Sequence, residues 1–146
     1  MNEIAIKIAR KDQLDWINTM YKKVDFKPSH FENEFIVIAE VNKTKAGLGR
    51  LVQIDDENVE LGGIYVFKEF RKIGVANAIV SYLCKQNPFS NKTIWCLPFE
   101  NLEQFYQQFG FGSNNVVAPK EIIEKYHWCN KEGQYAQRVL LLSKTS

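Results

Sequence analysis

Ile64-Tyr65-Val66-Phe67-Lys68-Glu69-Phe70-Arg71-Lys72-Ile73-Gly74-Val75-Ala76 runs as an apolar strand, turns through Arg-x-x-Gly-x-Ala and opens an amphipathic helix. A helix that begins here offers unpaired backbone N–H groups and the positive end of its dipole. Gly74 and Ala76 carry almost no side chain, so a bulky anion can approach the backbone closely. The stretch therefore predicts a pyrophosphate cradle at a helix N-terminus. Two other phosphate loops are absent. The chain has no Gly-x-x-x-x-Gly-Lys-Ser/Thr, and Gly47-Leu48-Gly49 is followed by more strand, Arg50 to Ile54, where a dinucleotide fingerprint needs a helix.

Outward from this junction the chain reads as strands and helices in alternation. Upstream, Ile4, Ile6 and Ile8 alternate within Glu3 to Ala9, a half-buried strand. Asp12 caps a helix with Leu14, Ile17, Tyr21 and Val24 at helical spacing, and Lys27-Pro28-Ser29 breaks it. A short turn or loop covers His30 to Glu34. Phe35 to Val41 and Ala46 to Ile54 predict a hairpin across Asn42 to Lys45, with Gly47 and Gly49 as hairpin glycines. Asp55 to Asn58 turns the chain into the strand Val59 to Phe67. Downstream, the helix from Gly74 reaches about Gln86, burying Val75, Ile79 and Leu83, and Pro88 stops it. Thr93 to Leu97 is the next strand. Asn101 is placed to cap a helix that turns Leu102, Phe105 and Phe109 inward, with Gly110 at its C′ position. Phe111 to Ala118 reads as a short strand, Pro119 opens a helix through about Trp128, and Gln134 to Ser143 reads as the final strand.

The 146 residues fit one compact domain, 1–146, large enough to bury a core. A net charge of +2 with no clustered basic stretch argues against nucleic acid as partner. No apolar run reaches membrane-spanning length, and the N-terminus lacks the pattern of a signal peptide, so no membrane is expected and the cytoplasm is the expected compartment. Cys84, Cys96 and Cys129 show no paired spacing, and His30 and His127 are isolated. Neither a metal site nor a cysteine nucleophile is expected from them.

Arg71 to Ala76 resembles motif A of the GNAT superfamily of N-acetyltransferases, which carries Gln/Arg-x-x-Gly-x-Gly/Ala at the same strand-to-helix junction and binds acetyl-CoA there. Glu60 to Val66 reads as the superfamily's preceding strand. Phe105-Tyr106-Gln107-Gln108-Phe109-Gly110-Phe111 resembles its motif B, aromatic-Tyr-x-x-x-Gly-Phe, and Thr93 to Leu97 is the single strand between them. The resemblance covers about residues 58–112. It implies a mixed α/β fold, a central twisted mixed sheet of about six to seven strands flanked by helices. It also implies acetyl-CoA as cosubstrate, with Val66, Arg71, Lys72, Ile73, Gly74, Val75 and Ala76 as the residues that hold it.

Acetyl transfer from a thioester to an amine needs a neutral amine, a donor for the tetrahedral oxyanion and a proton for the departing thiolate. Tyr106 falls on the family's motif B tyrosine, beside the CoA sulfur, which makes it the candidate general acid; the alternative is a helix aromatic with its hydroxyl at the surface. Glu60, eleven positions before Arg71, falls where some members carry a catalytic or water-positioning glutamate. It is either the general base or a carboxylate that reaches solvent or pairs with a lysine. The oxyanion donor would be a backbone N–H near Val66. Arg71 would reach a CoA phosphate, or the backbone alone would serve. Two departures stand out. Lys72 replaces the small residue usual there, and Phe99 stands seven residues before the tyrosine, where members often have Asn.

The resemblance points to an N-acetyltransferase acting on the amine of a small molecule in a ternary complex, with a homodimer allowed. A non-catalytic CoA-binding module and a protein or peptide N-acetyltransferase are the alternatives. Trp16, Tyr21, Phe26, His30, Phe31, Tyr65, Tyr126, His127 and Trp128 lie on the elements that would line the acceptor pocket. If several converge, they favour an amine with an apolar or cationic body.

Overall fold

Alternating apolar residues build a sheet whose strands follow the predicted order closely. The computed structural model describes residues 2–145. Its strands are β1 (Ile4–Ile8), β2 (Glu34–Val41), β3 (Thr44–Gln53), β4 (Asn58–Val66), β5 (Thr93–Cys96) and β6 (Leu142–Thr145). Its helices are α1 (Leu14–Lys22), α2 (Val75–Lys85), α3 (Glu103–Gln107) and α4 (Lys120–Cys129). The six strands form one mixed sheet in the order β1-β2-β3-β4-β5-β6. By its contacts the chain divides into two units, Met1–Val52 with Leu61–Pro88 and Gln53–Glu60 with Phe89–Ser146, and β4 passes from one to the other after Glu60.

In the first unit β1, β2 and β3 run antiparallel, with Ile4 opposite Val41 and Glu34 opposite Val52. Ala9, Ile17, Tyr21, Ile36, Ile38 and Leu48 form a core cluster against which Trp16, Met20, Phe31 and Tyr65 pack. α1 buries Ile17 and Tyr21, and α2 buries Val75, Ile79, Val80 and Leu83, the stripe read from helical spacing plus one neighbour. Gly47 and Gly49 lie in the β2–β3 hairpin as expected. The turn itself is Asn42-Lys43, both with positive φ (50° and 71°), as a two-residue hairpin requires. Gly47 and Gly49 sit inside β3, where their neighbours press close. A Cβ at Gly49 would stand 2.3 Å from Ile79 Cγ2, and one at Gly47 would stand 2.8 Å from the Tyr65 carbonyl.

In the second unit Asn58, Val59 and Glu60 pair in parallel with Thr93, Ile94 and Trp95, and β5 runs antiparallel to β6. The Trp95 indole donates to Asn58 Oδ1 at 2.7 Å. Before β4, the backbone N–H of Glu57, followed by the Asn58 side chain, holds the Asp55 carboxyl below the usual carboxylate range.

Three expectations for this unit change. Asn101 caps nothing: it lies within a 3₁₀ turn, Glu100–Leu102, and α3 starts after Leu102, which is exposed. The buried residue of α3 is Tyr106, while Phe105 and Phe109 are half-buried. The expected strand over Phe111 to Ala118 shrinks to one bridge, Gly112 to Ser143. Asn114 Nδ2 donates to the Ser143 carbonyl at 2.8 Å, a side chain standing where a strand's own N–H would. The final strand is Leu142–Thr145 and not Gln134 to Ser143. The Asn130 amide accepts from the Val139 N–H at 2.9 Å and donates to its carbonyl at 3.0 Å, so a side chain takes bonds that a longer strand would give to the sheet.

Candidate active site

The expected cradle falls where β4 ends at Val66, a 3₁₀ turn covers Lys68–Phe70, and α2 starts at Val75. Gly74 is the N-cap, with φ +94°, a left-handed conformation that favours glycine. The Ala78 N–H donates to the Gly74 carbonyl at 3.1 Å, and the N–H groups of Val75 and Ala76 lie ahead of that bond at the helix end. No side chain caps this terminus and its first turn holds no acidic residue. A Cβ built on Gly74 would find Ile4 Cδ1 at 4.0 Å and nothing nearer, so the approach is open.

Arg71, Lys72, Ile73 and Gly74 are all exposed. The Arg71 Nε donates to the Val66 carbonyl at 3.2 Å, folding the loop back onto the end of β4. Lys72 adopts φ +66°. A side chain in the left-handed region costs about 1–2 kcal/mol, and Lys72 bears that cost. The seven residues expected to hold the cosubstrate thus lie between the end of β4 and the first turn of α2, with two cations exposed beside a positive helix end.

The two residues expected to move protons lie in the second unit. Glu60 closes its segment of β4 with a side chain only 13% exposed, and its Oε2 accepts from the Lys125 ammonium of α4 at 2.6 Å. Glu60 thus pairs with a lysine, and the partner stands 65 residues away, beyond the reach of local pattern. Tyr106 is 7% exposed, its ring edge-on to Phe105 at 5.0 Å and to Phe111 at 6.0 Å.

Of the aromatics named for the acceptor side, Tyr21 belongs to the core cluster of the first unit, and Trp16, Phe31 and Tyr65 pack against that cluster. Phe67 packs edge-on to Trp16 at 6.1 Å and to Tyr65 at 5.0 Å, and Tyr21 meets Phe26 at 5.8 Å.

Residues 32–112, more than half of the chain, match the sequence profile described as the Acetyltransferase (GNAT) domain. No curated protein matches the chain in sequence. Solved structures share its fold at low identity. A protein of Mycobacterium tuberculosis, Rv2747 in complex with CoA and NLQ, is 16% identical with a TM-score of 0.71, over 97% of this chain and 99% of that one. Arabidopsis thaliana Naa50, in complex with the bisubstrate analogue CoA-Ac-MVNAL, is 16% identical with a TM-score of 0.65, over 98% and 99%. An aminoglycoside 6'-N-acetyltransferase complexed with coenzyme A is 16% identical with a TM-score of 0.66, over 97% and 96%. The profile match contains the whole cradle and the motif B block through Phe111, and by it the chain belongs to the GNAT family of acetyltransferases.

Proposed function

We propose that the protein moves an acetyl group from acetyl-CoA to the amine of a small molecule, by direct attack while both substrates are bound. The observation that carries this reading is the uncapped N-terminus of α2, open above Gly74 and free of acidic residues in its first turn. The pyrophosphate lies on the N–H groups of Val75 and Ala76, with Ile73 and Gly74 shaping the approach. Lys72, and the Arg71 Nη groups left over from the Nε bond to Val66, are the cations assigned to the phosphates in this reading. The CoA-bound fold relatives support the same cosubstrate.

In the transfer, the neutral amine attacks the thioester carbonyl and forms a C–N bond. The oxyanion takes a hydrogen bond from a backbone N–H near Val66, the C–S bond breaks, and the Tyr106 hydroxyl gives its proton to the thiolate. Glu60 takes the proton that the amine loses, competing with Lys125 for the same oxygen. Holding both reactants together supplies much of the acceleration.

The test is acetyl-CoA turnover followed with a thiol-reactive dye across amines that include polyamines, aminoglycosides, arylamines, amino acids and short peptides. Thiol release confined to one small-molecule class supports the proposal. Release with peptides alone favours a peptide acetyltransferase, the class of acceptor in the Naa50 analogue. CoA binding without release from any amine would leave a non-catalytic CoA-binding module.

A further inference from the structure

Arg50 is a buried cation with no carboxylate partner among the described residues: it is 9% exposed and makes no ion pair. Its Nη1 donates to Ser29 Oγ at 2.5 Å and its Nη2 to the Lys27 carbonyl at 3.0 Å. The guanidinium carbon lies 4.4 Å from the centre of the Tyr21 ring. The Tyr21 hydroxyl in turn donates to the Gly63 carbonyl at 2.8 Å. Gly63 has φ +61°, and a Cβ there would stand 2.7 Å from Tyr21 Oη and 2.8 Å from Arg50 Nε. Asn18 closes the loop side, exchanging hydrogen bonds with the Ser29 backbone N–H at 2.7 Å and carbonyl at 3.0 Å.

Stability alone does not favour this arrangement. A buried guanidinium satisfied only by neutral groups carries a desolvation cost, and an apolar side chain like the neighbouring Leu48 and Leu51 would avoid it. What the cation supplies is geometry. Its fork fixes the Lys27–Ser29 loop, its face orients the Tyr21 ring, and the Tyr21 hydroxyl pins a left-handed residue in the strand that leads to the cradle. Gly63 lies three residues before Val66, so its conformation sets the direction of the backbone that follows.

We propose that Arg50, acting through Tyr21, is a positioning residue for acetyl transfer: the pair locks Gly63 and thereby aligns the Val66 backbone with the acyl group. This rests on the acetyl-transfer reading above. Neither side chain touches the reacting atoms, so the lock governs kcat and leaves acetyl-CoA affinity alone.

The experiment compares wild type, Tyr21→Phe, Arg50→Met and the double variant. It reads kcat and the acetyl-CoA KM by thiol release, with the best amine of the panel or with water as acceptor, and the CoA Kd by calorimetry. Tyr21→Phe keeps the ring under the guanidinium and serves if Arg50→Met does not fold. Its kcat should fall roughly tenfold, since small misplacements near a reacting centre cost up to about a hundredfold. The CoA Kd should stay within about twofold of wild type, as expected when only transition-state alignment is lost. The double variant should lose little more than Arg50→Met, because both act through Gly63. An active wild type whose folded variants keep kcat, or lose CoA affinity in step with kcat, would overturn the inference alone. A wild type that neither binds CoA nor releases thiol would overturn the acetyl-transfer reading and the lock with it.

Discussion

Tyr106 and Glu60 differ in what surrounds them, and that difference decides how each can be tested. The Tyr106 ring is packed between Phe105 and Phe111, so Tyr106→Phe removes one hydroxyl and keeps the packing of α3. If that hydroxyl protonates the departing thiolate, its interaction exists mainly in the transition state. Turnover should then fall roughly ten- to a thousandfold with acetyl-CoA affinity near normal. An affinity loss at unaltered turnover, read by calorimetry beside kinetics, would make Tyr106 a binding residue instead. Glu60 is held by Lys125, and Glu60→Gln removes both the proton acceptor and the ion pair. As a base it matters most while the amine is protonated, so the variant's deficit should be largest near neutral pH and shrink at alkaline pH. A pH–rate profile showing a uniform deficit would assign Glu60 a structural role through Lys125.

At the scale of elements, the sharpest prediction concerns the start of α2. Gly74→Glu forces a side chain into the left-handed region and sets a carboxylate at the terminus proposed to bind pyrophosphate. CoA binding should be lost while circular dichroism stays native, because nothing lies within 4 Å for the new Cβ to strike except Ile4 Cδ1 at 4.0 Å. Unchanged CoA affinity in the folded variant would remove the cradle assignment. Gly49→Ala is the contrasting case. Its Cβ meets Ile79, Ile64 and Leu83 side chains at 2.3, 3.0 and 3.2 Å, so denaturant unfolding should show a loss of about 1–3 kcal/mol. That contrast also explains what could be read in advance. The junction from Val66 to Gly74 is written in adjacent residues, and strands β1 to β5 and helices α1 and α2 are written in local periodicity, so these elements were legible. The Gly47 and Gly49 contacts come from residues fifteen or more positions away. The ends of the C-terminal strands are set by Asn114 and Asn130, whose amides take backbone bonds that an apolar pattern assigns to a sheet. The Arg50 lock was invisible for the same reason, since an arginine between Gly49 and Leu51 reads as an outward-facing strand residue until Tyr21, Ser29 and Gly63 are brought around it.

For the whole molecule, the same buried pair sets how stability depends on alkaline pH. Burial, above all, raises the pKa of the Tyr21 hydroxyl; Arg50 pulls it back and Glu34 raises it further. In the unfolded chain a tyrosine gives up its proton near about pH 10. Below that pH both states hold the proton, and the contribution to stability is fully present. Above it the unfolded chain releases the proton while the fold keeps it, so the folded state binds more protons and the unfolding free energy declines as pH rises toward the raised folded value. Tyr21→Phe removes this linkage. Near neutral pH the variant should be less stable, by about 1 kcal/mol for the lost bond to Gly63. Above about pH 10 the wild type loses stability through Tyr21 and the variant does not, so the two profiles should converge. Urea titrations of both proteins from neutral to strongly alkaline pH test this directly. A constant gap between the two across that range would mean that Tyr21 keeps no proton the unfolded chain has lost, and would place the alkaline limit of the fold elsewhere.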